Sequence, residues 1–557
     1  MYLRTVRAKG IEYLQLAASY RDPITKTPKT KVLYSFGRKD QVDLDALRRL
    51  VKSISRFLEP GEVQALQEEL DLDWPFEYLG AKKLGGPYLL DALWRKLGID
   101  RTLHNLLEQR GFSTPVERLI FAMVANRALA PSSKLAMEHW VQTEVRIDGL
   151  DEVEVHQLYR AMDFLLEAAD DIQRDVFFAI ANLFNLEVDV IFVDTTTVYF
   201  EVEQEDPDTE DAQGLRKWGY SRDKRPELPQ AVIGFAVTRS GIPVRCWVWP
   251  GNATDQTLVE EVKKDLNGWK LGRVVTVMDT GFNSEQNRRI LQGAGDHYII
   301  GEKLRLGPKG EVHEALKRAG TYKKLKEGIE IKEVIVDKGS TAARRFVVVH
   351  NPAEAERDKK KRMDIVAEVE RRLEALDQLE GEPHTRAACS LRSHPAFGHY
   401  IRQTKTGKLR LDKARIKAEE RFDGKFLVSA SDHRMPAEDV ALGYKQLWRI
   451  ERLNRDLKHT VDLRPVYHRL DDRIRAHVLL CWLALLLIRV AENETEMTWR
   501  HIRNELSPLT VGYHRTRSGE VAQTSPLTDG QKEIFAKLDV KPPARYQEIR
   551  EKPQLTA

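Results

Sequence analysis

The run VDVIFVD, from Val188 to Asp194, is almost continuously apolar and rich in β-branched residues, which is how a strand covered on both faces reads. A chain with such a strand has to bury it between other layers, so a layered α/β fold is expected. The segments that follow extend the pattern. AVIGFAVT and IPVRCWVW flank Ser240-Gly241 as a hairpin, a helical stretch starts at Thr254, RVVTVMD is a second apolar strand, another helix starts at Ser284, and HYIIGEK is a further strand. The order is strand, hairpin, helix, strand, helix, strand. It predicts a mixed sheet with an antiparallel hairpin and later parallel strands, and it argues against a purely doubly wound fold.

At 557 residues the chain exceeds one ordinary core, and roughly two to four structural units are expected. Residues 1–44 read as a small β unit, with IEYLQLAASY and TKVLYSF joined by RDPITKTPKT. Residues 45–185 repeat apolar positions every three or four residues, as in ALRRLVKSISRFL and VERLIFAMVANRAL, and predict a helical domain. Residues 186–302 hold the first part of the sheet. Residues 303–430, with EVIVD, RRFVVVH, HYIRQT and KFLVSA, read as a β-rich insertion domain that also carries a strongly charged helix. Helices resume over 431–492, and 493–557 reads as a polar C-terminal tail.

The longest apolar run, Val478 to Ile488, falls short of the roughly 18 to 20 residues of a bilayer span and predicts a buried helix. The N-terminus lacks an apolar stretch with a small-residue cleavage site, and Cys246, Cys389 and Cys481 lack metal-ligand spacing. A cytoplasmic protein with reduced, mostly buried thiols and no membrane association is expected. The net charge of +4 decides little about partners. Residues 441–480, however, hold nine Lys/Arg against five Asp/Glu, so the basic surface is concentrated there.

Two aspartates end apolar strands: Asp194 closes VDVIFVD and Asp279 closes RVVTVMD. One sheet can set them side by side, where they could share Mg²⁺, an ion that prefers carboxylate and water oxygens. Two such ions roughly 3.5 to 4 Å apart activate an attacking oxygen and stabilise a leaving one in phosphodiester cleavage. Aspartates also end strands for turn chemistry alone, so a third group is needed. The segment YKQLWRIERLNRDLKH supplies Glu451, with Tyr444 seven residues before it and Lys458 seven after. On one helix these three form a stripe, with Trp448, Arg452 and Arg455 beside it and Ile450, Leu453 and Leu457 towards the other side. An ordinary amphipathic helix with a Glu451–Arg455 ion pair would show the same pattern, and only the aspartates favour a phosphoryl-transfer site on a polyanion.

With these residues in place, the sequence resembles the DDE transposases of the insertion-sequence-four superfamily. Their third-carboxylate region runs tyrosine, two residues, arginine, three residues, glutamate, six residues, lysine. Tyr444, Glu451 and Lys458 match it, whereas Leu447 stands at the arginine position and Arg449 is the nearest substitute. The resemblance extends to Asp194-Thr195-Thr196, Asp279-Thr280-Gly281-Phe282, GYSRDKRPELPQ, GIPVRCWVWPGNATDQ and FDGKFLV. It implies a ribonuclease-H-like catalytic core interrupted by a mostly β insertion domain, with catalytic and metal-binding Asp194, Asp279 and Glu451. It also implies DNA contacts from Tyr444, Lys458, Arg455 and Arg452, and it makes the helical domain of residues 45–185 a candidate DNA-end-binding element. The cofactor would be two Mg²⁺ ions with Mn²⁺ able to substitute, and the partners transposon-end and target DNA in a homodimeric synaptic complex at the bacterial nucleoid. The alternatives are a catalytically inactive, transposase-derived DNA-binding protein and a ribonuclease-H-like nuclease without joining activity.

Weaker signals add little. Asn252-Ala253-Thr254 reads as a loop, Gly293 and Gly295 do not complete a phosphate loop, and His384, Cys389 and His394 lack zinc spacing. Trp218, Tyr220 and Arg222 fit either DNA stacking or buried aromatics beside a solvated arginine.

Overall fold

A central sheet of nine strands organises the computed structural model. Residues 1–8, 10–23, 26–43, 76–108, 110–111, 114–183, 190–210, 213–268, 274–304, 310–325, 328–337, 343–516 and 519–551 are described. The expected helix ALRRLVKSISRFL lies outside them. The sheet strands are β1 (Val190–Tyr199), β2 (Gln230–Thr238), β3 (Pro243–Pro250), β4 (Val275–Met278), β5 (His297–Glu302), β6 (Lys323–Lys324), β7 (Glu330–Val336), β8 (Arg344–His350) and β9 (Lys425–Ala430). Their spatial order is β6-β7-β8-β9-β5-β4-β1-β2-β3. β1 pairs antiparallel with β2 and parallel with β4, and β4 pairs parallel with β5. The mixed α/β sheet and its hairpin are as the strand pattern predicted. Burial explains the apolar runs: every residue of β2 and β4, and all but the last of β1, is buried.

The insertion expected over 303–430 takes another form. Its strands β7, β8 and β9 do not build a separate β domain but continue the central sheet, with β9 antiparallel to β5. A backbone edge left at β5 would expose unpaired N–H and C=O groups, and β9 covers that edge. What stands apart is mainly helical: Pro352–Leu376 and Gly381–Ser393 with the short hairpin Ile401–Gln403 and Leu409–Leu411, around Val369, Leu376, Leu391, Ile401 and Leu409.

Four helices position the site: α1 (Asp255–Gly268), α2 (Ala437–Lys445), α3 (Trp448–His459) and α4 (Asp471–Thr495). The expected single helix through Tyr444 and Lys458 is interrupted. After Lys445 the chain tightens, with the N–H of Leu447, Arg449 and Ile450 each bonding three residues back. This turn sends Leu447 into the core at 8% exposure and sets α3 off from α2. α4 contains the apolar run and is long and apolar enough to cross a membrane, yet its apolar window is 94% buried. It packs against β3 and against helices Val116–Leu129 and Val155–Glu167. Val116–Leu129 is itself buried nearly throughout, so it serves as core and offers no face to DNA.

Two compact units are present. The smaller contains the antiparallel strands Tyr2–Ala8, Ile11–Arg21 and Pro28–Arg38; the larger contains the nine-stranded sheet. The segment read as a polar tail after 493 is structured within 494–551: helices Trp499–Leu506 and Asp529–Lys537 bury Trp499, Ile502, Leu506, Ile534 and Phe535. Its apolar residues are few but regularly placed, which a composition reading misses.

Candidate active site

β1 and β4 run parallel with Val193 opposite Met278, so Asp279 follows the carboxyl end of β4 beside Asp194, which does not end its strand as expected but lies within β1, paired with Phe235 of β2, the strand continuing to Tyr199. Ligand sites form at such carboxyl ends because side chains from adjacent strands converge there. Asp194 is 8% exposed. Burial pushes its carboxyl up to about 6; Arg222 and the Thr195 backbone oppose this, and the charges of Asp279 and Asp255 add to it.

The third expected carboxylate comes from α3. Asn454 Nδ2 donates to Asp194 Oδ2 at 3.1 Å, fixing this helix against β1, and Glu451 stands one turn earlier, exposed. Ile450, Leu453 and Leu457 are buried on the other side, as their spacing predicts. Tyr444 reaches the site from α2 and donates from Oη to Asp279 Oδ1 at 3.0 Å. Its hydroxyl is pushed far above the usual phenol range, first by burial, then by Asp279, Glu451 and Asp194. All three carboxylates therefore act on one phenol. The approach needs Gly301 on β5: a Cβ there would lie 2.2 Å from Tyr444 Oη.

The oxygens of Asp194 and Asp279 suit a hard divalent cation. Among the described residues, however, no group of three or more His, Cys, Asp or Glu is gathered as a metal site. Protein donors hold the aspartates instead: Arg222 Nη1 lies 3.3 Å from Asp194 Oδ1, beside the contacts from Asn454 and Tyr444. An ionised carboxylate has about four lone-pair sites, so a cation could bind these aspartates beside the Tyr444 and Asn454 donors.

The basic residues divide. Lys458 is 11% exposed and donates to Asp223 Oδ1 at 2.9 Å, so it does not present an open charge on a stripe. Arg452 pairs with Glu492 at 3.0 Å, while Arg455 is exposed. Leu447 packs in the core, and Arg449 donates to the Arg239 carbonyl at 2.7 Å, so Arg449 does not take the missing arginine's place at the carboxylates. Trp218 and Tyr220 are 47% and 84% exposed, not buried.

Arg222, Asp255 and Asn454 are site residues that the sequence reading did not assign. Asp255 opens α1, accepts from Thr195 Oγ1 at 2.6 Å and from Arg222 Nη2 at 3.0 Å, and would meet a Cβ at Gly281 at 2.5 Å. It thus lies against Thr195, next to Asp194, and close to Gly281, two residues after Asp279. Asn454 was findable, since three residues after Glu451 is the same helical face. Of the cysteines, Cys246 and Cys481 are buried and Cys389 is exposed.

Among solved structures, a piggyBac transposase synaptic complex with hairpin DNA is similar at 10% identity, covering 72% of this chain and 73% of that chain, with a TM-score of 0.33. No curated protein matches. The IS1634 family transposase N-terminal domain matches residues 3–67, and the transposase DDE domain matches residues 187–487, over half of the chain and spanning Asp194, Asp279 and Glu451. The chain belongs to the DDE transposases of bacterial insertion sequences, enzymes that cut and join DNA.

Proposed function

We propose that this transposase cleaves the DNA at its element's ends and transfers the strands into target DNA through one site built on Asp194, Asp279 and Glu451. The observation that supports the reading is that two neighbouring strands and two helices meet at these residues: Tyr444 of α2 donates to Asp279, and Asn454 of α3, one turn from Glu451, donates to Asp194. We read the sheet as a ribonuclease-H-like core. Asp194, Asp279 and Glu451 would hold two Mg²⁺ ions, which when bound supply activation of the attacking oxygen and stabilisation of the leaving one.

The chain's own residues do the rest. Tyr444 and Asn454 orient the carboxylates of Asp279 and Asp194. Arg455, Arg452 and Lys458 lie along α3, the helix that carries Glu451, and are the cations we assign to DNA phosphates. Cleavage and joining are both phosphoryl transfers, so the same residues serve both, and pairing of two ends would require two copies of the chain.

The test is a cleavage and strand-transfer assay on the native element's terminal DNA. Mg²⁺ and Mn²⁺ should support product formation, and Asp194→Asn, Asp279→Asn and Glu451→Gln should each remove it while end binding persists. Near-normal cleavage by any of the three removes that residue from the site. Cleavage without any joined product would make the protein a nuclease.

A further inference from the structure

Asp223, next to Arg222, sits between two cations. Lys458 Nζ donates to its Oδ1 at 2.9 Å, and Arg464 Nη1 lies 3.1 Å from its Oδ2. The three side chains are only 11%, 19% and 15% exposed for Lys458, Arg464 and Asp223. Oδ2 nonetheless accepts no aligned hydrogen bond, so the carboxylate fills its place imperfectly. Beyond the pair opens a cavity of about 530 Å³ whose lining includes Arg216, Lys458, Arg464 and Arg469 against the single carboxylate Glu201. Tyr199 and the 79% exposed Tyr467 are on its walls.

Two oxygens bridging a lysine and an arginine is also how the two non-bridging oxygens of a phosphodiester bind. We propose that Lys458 and Arg464 form a binding site for a backbone phosphate of DNA, and that Asp223 occupies it in the free chain as an internal competitor that the phosphate displaces. The inference rests on the transposase reading above and adds what that reading lacks, namely Arg464, the cavity and a resident anion. It also accounts for the opposed charges of neighbouring residues. Arg222 places a cation on Asp194 and Asp255, and Asp223 places an anion on Lys458 and Arg464, so one loop satisfies both halves of the site. A phosphate that displaces Asp223 pulls on the loop that holds Arg222 against Asp194.

The experiment is salt-titrated binding of the full chain to a labelled duplex of the element's end, in EDTA so that no cutting occurs. Asp223→Asn should bind several-fold more tightly than wild type with a similar log–log salt slope, because the same two cations meet the phosphate but no resident carboxylate has to be displaced first. In the Lys458→Ala background this gain should shrink. Unchanged or weaker binding by a normally melting Asp223→Asn overturns the proposal, because Asp223 would then serve only to position Lys458. Should Asp223→Asn not fold, Arg464→Gln carries the test: its slope should fall by about one, and an unchanged slope overturns the site. If wild type binds no DNA, the functional reading falls and this proposal with it, whereas wild-type binding with an indifferent Asp223→Asn sinks the proposal alone.

Discussion

The hydroxyl of Tyr444 donates to Oδ1 of Asp279 at 3.0 Å across 165 residues of sequence, tying α2 to the end of β4. A hydrogen bond to a charged acceptor is worth about 1.5 to 3 kcal/mol, more than a neutral one. The ring keeps its packing against Phe426, at 5.6 Å between centroids, without the hydroxyl. Tyr444→Phe should therefore melt close to wild type yet cleave element-end DNA about 10- to 100-fold more slowly, since each 1.4 kcal/mol at the transition state is about tenfold in rate. Single-turnover cleavage beside a thermal melt checks both halves. A wild-type rate would mean that the bond only fastens the helix.

Asp194 gives a prediction in pH. Burial raises its carboxyl from 3.8 to about 6, so the folded chain holds this proton more tightly than the unfolded one. Stabilisation from the group is complete below about pH 3.8 and is lost as pH rises through about 6, above which the buried charge is a cost. That cost is on the order of 3 kcal/mol. Asp194→Asn should thus gain stability relative to wild type at pH 7.5 in EDTA, and the gain should fade towards pH 4. Urea unfolding of both proteins at the two pH values measures it. A gap that does not change with pH would show that Arg222 and Asn454 already compensate the charge.

Asp279 was legible because a strand buried on both faces leaves a continuous apolar run whose end is marked by a charged residue, and Asp194 was legible as the charge that closes VDVIFVD, although its strand continues through three threonines to Tyr199. The break between Tyr444 and Glu451 was not. YKQLWRIERLNRDLKH has no Gly or Pro to interrupt a helix, and the turn is set by where Leu447 finds a buried place, a tertiary fact. Strands β7 to β9 were readable as strands, but which edge they would join was not, because pairing partners leave no mark within a strand. Lys458 shows the same limit for charge: helical spacing gave its direction, while its pairing with Asp223 depends on a loop 235 residues away.

Leu457 separates packing from DNA contact on α3. It is 0% exposed and belongs to the main core, whereas Arg455, two residues earlier, is exposed. Leu457→Ala should cost about 2 to 5 kcal/mol, and Arg455→Ala should stay within about 0.5 kcal/mol in stability while weakening end binding. Chemical denaturation and salt-titrated binding of the two variants resolve these effects. If Arg455→Ala destabilises as much as Leu457→Ala, the exposed face of α3 is structural.

Gly301 supplies the sharpest steric test. Its backbone does not require glycine, since φ is not in the left-handed region; the space does. A Cβ would lie 2.2 Å from Tyr444 Oη, 2.8 Å from Thr280 Cγ2 and 2.9 Å from Tyr444 Cζ. Because β5 is held on both sides by β4 and β9, the tyrosine has to give way rather than the strand. Gly301→Ala should therefore lose about 1 to 3 kcal/mol through overpacking and should also lose the Tyr444–Asp279 bond, cutting DNA no faster than Tyr444→Phe. Removing Oη relieves the tightest of the three contacts, so the double variant Gly301→Ala/Tyr444→Phe should be more stable than the two single losses sum to. Denaturation of all four proteins closes that cycle. Strict additivity, or a Gly301→Ala enzyme that cuts normally, would mean that Tyr444 does not reach Asp279 past this glycine.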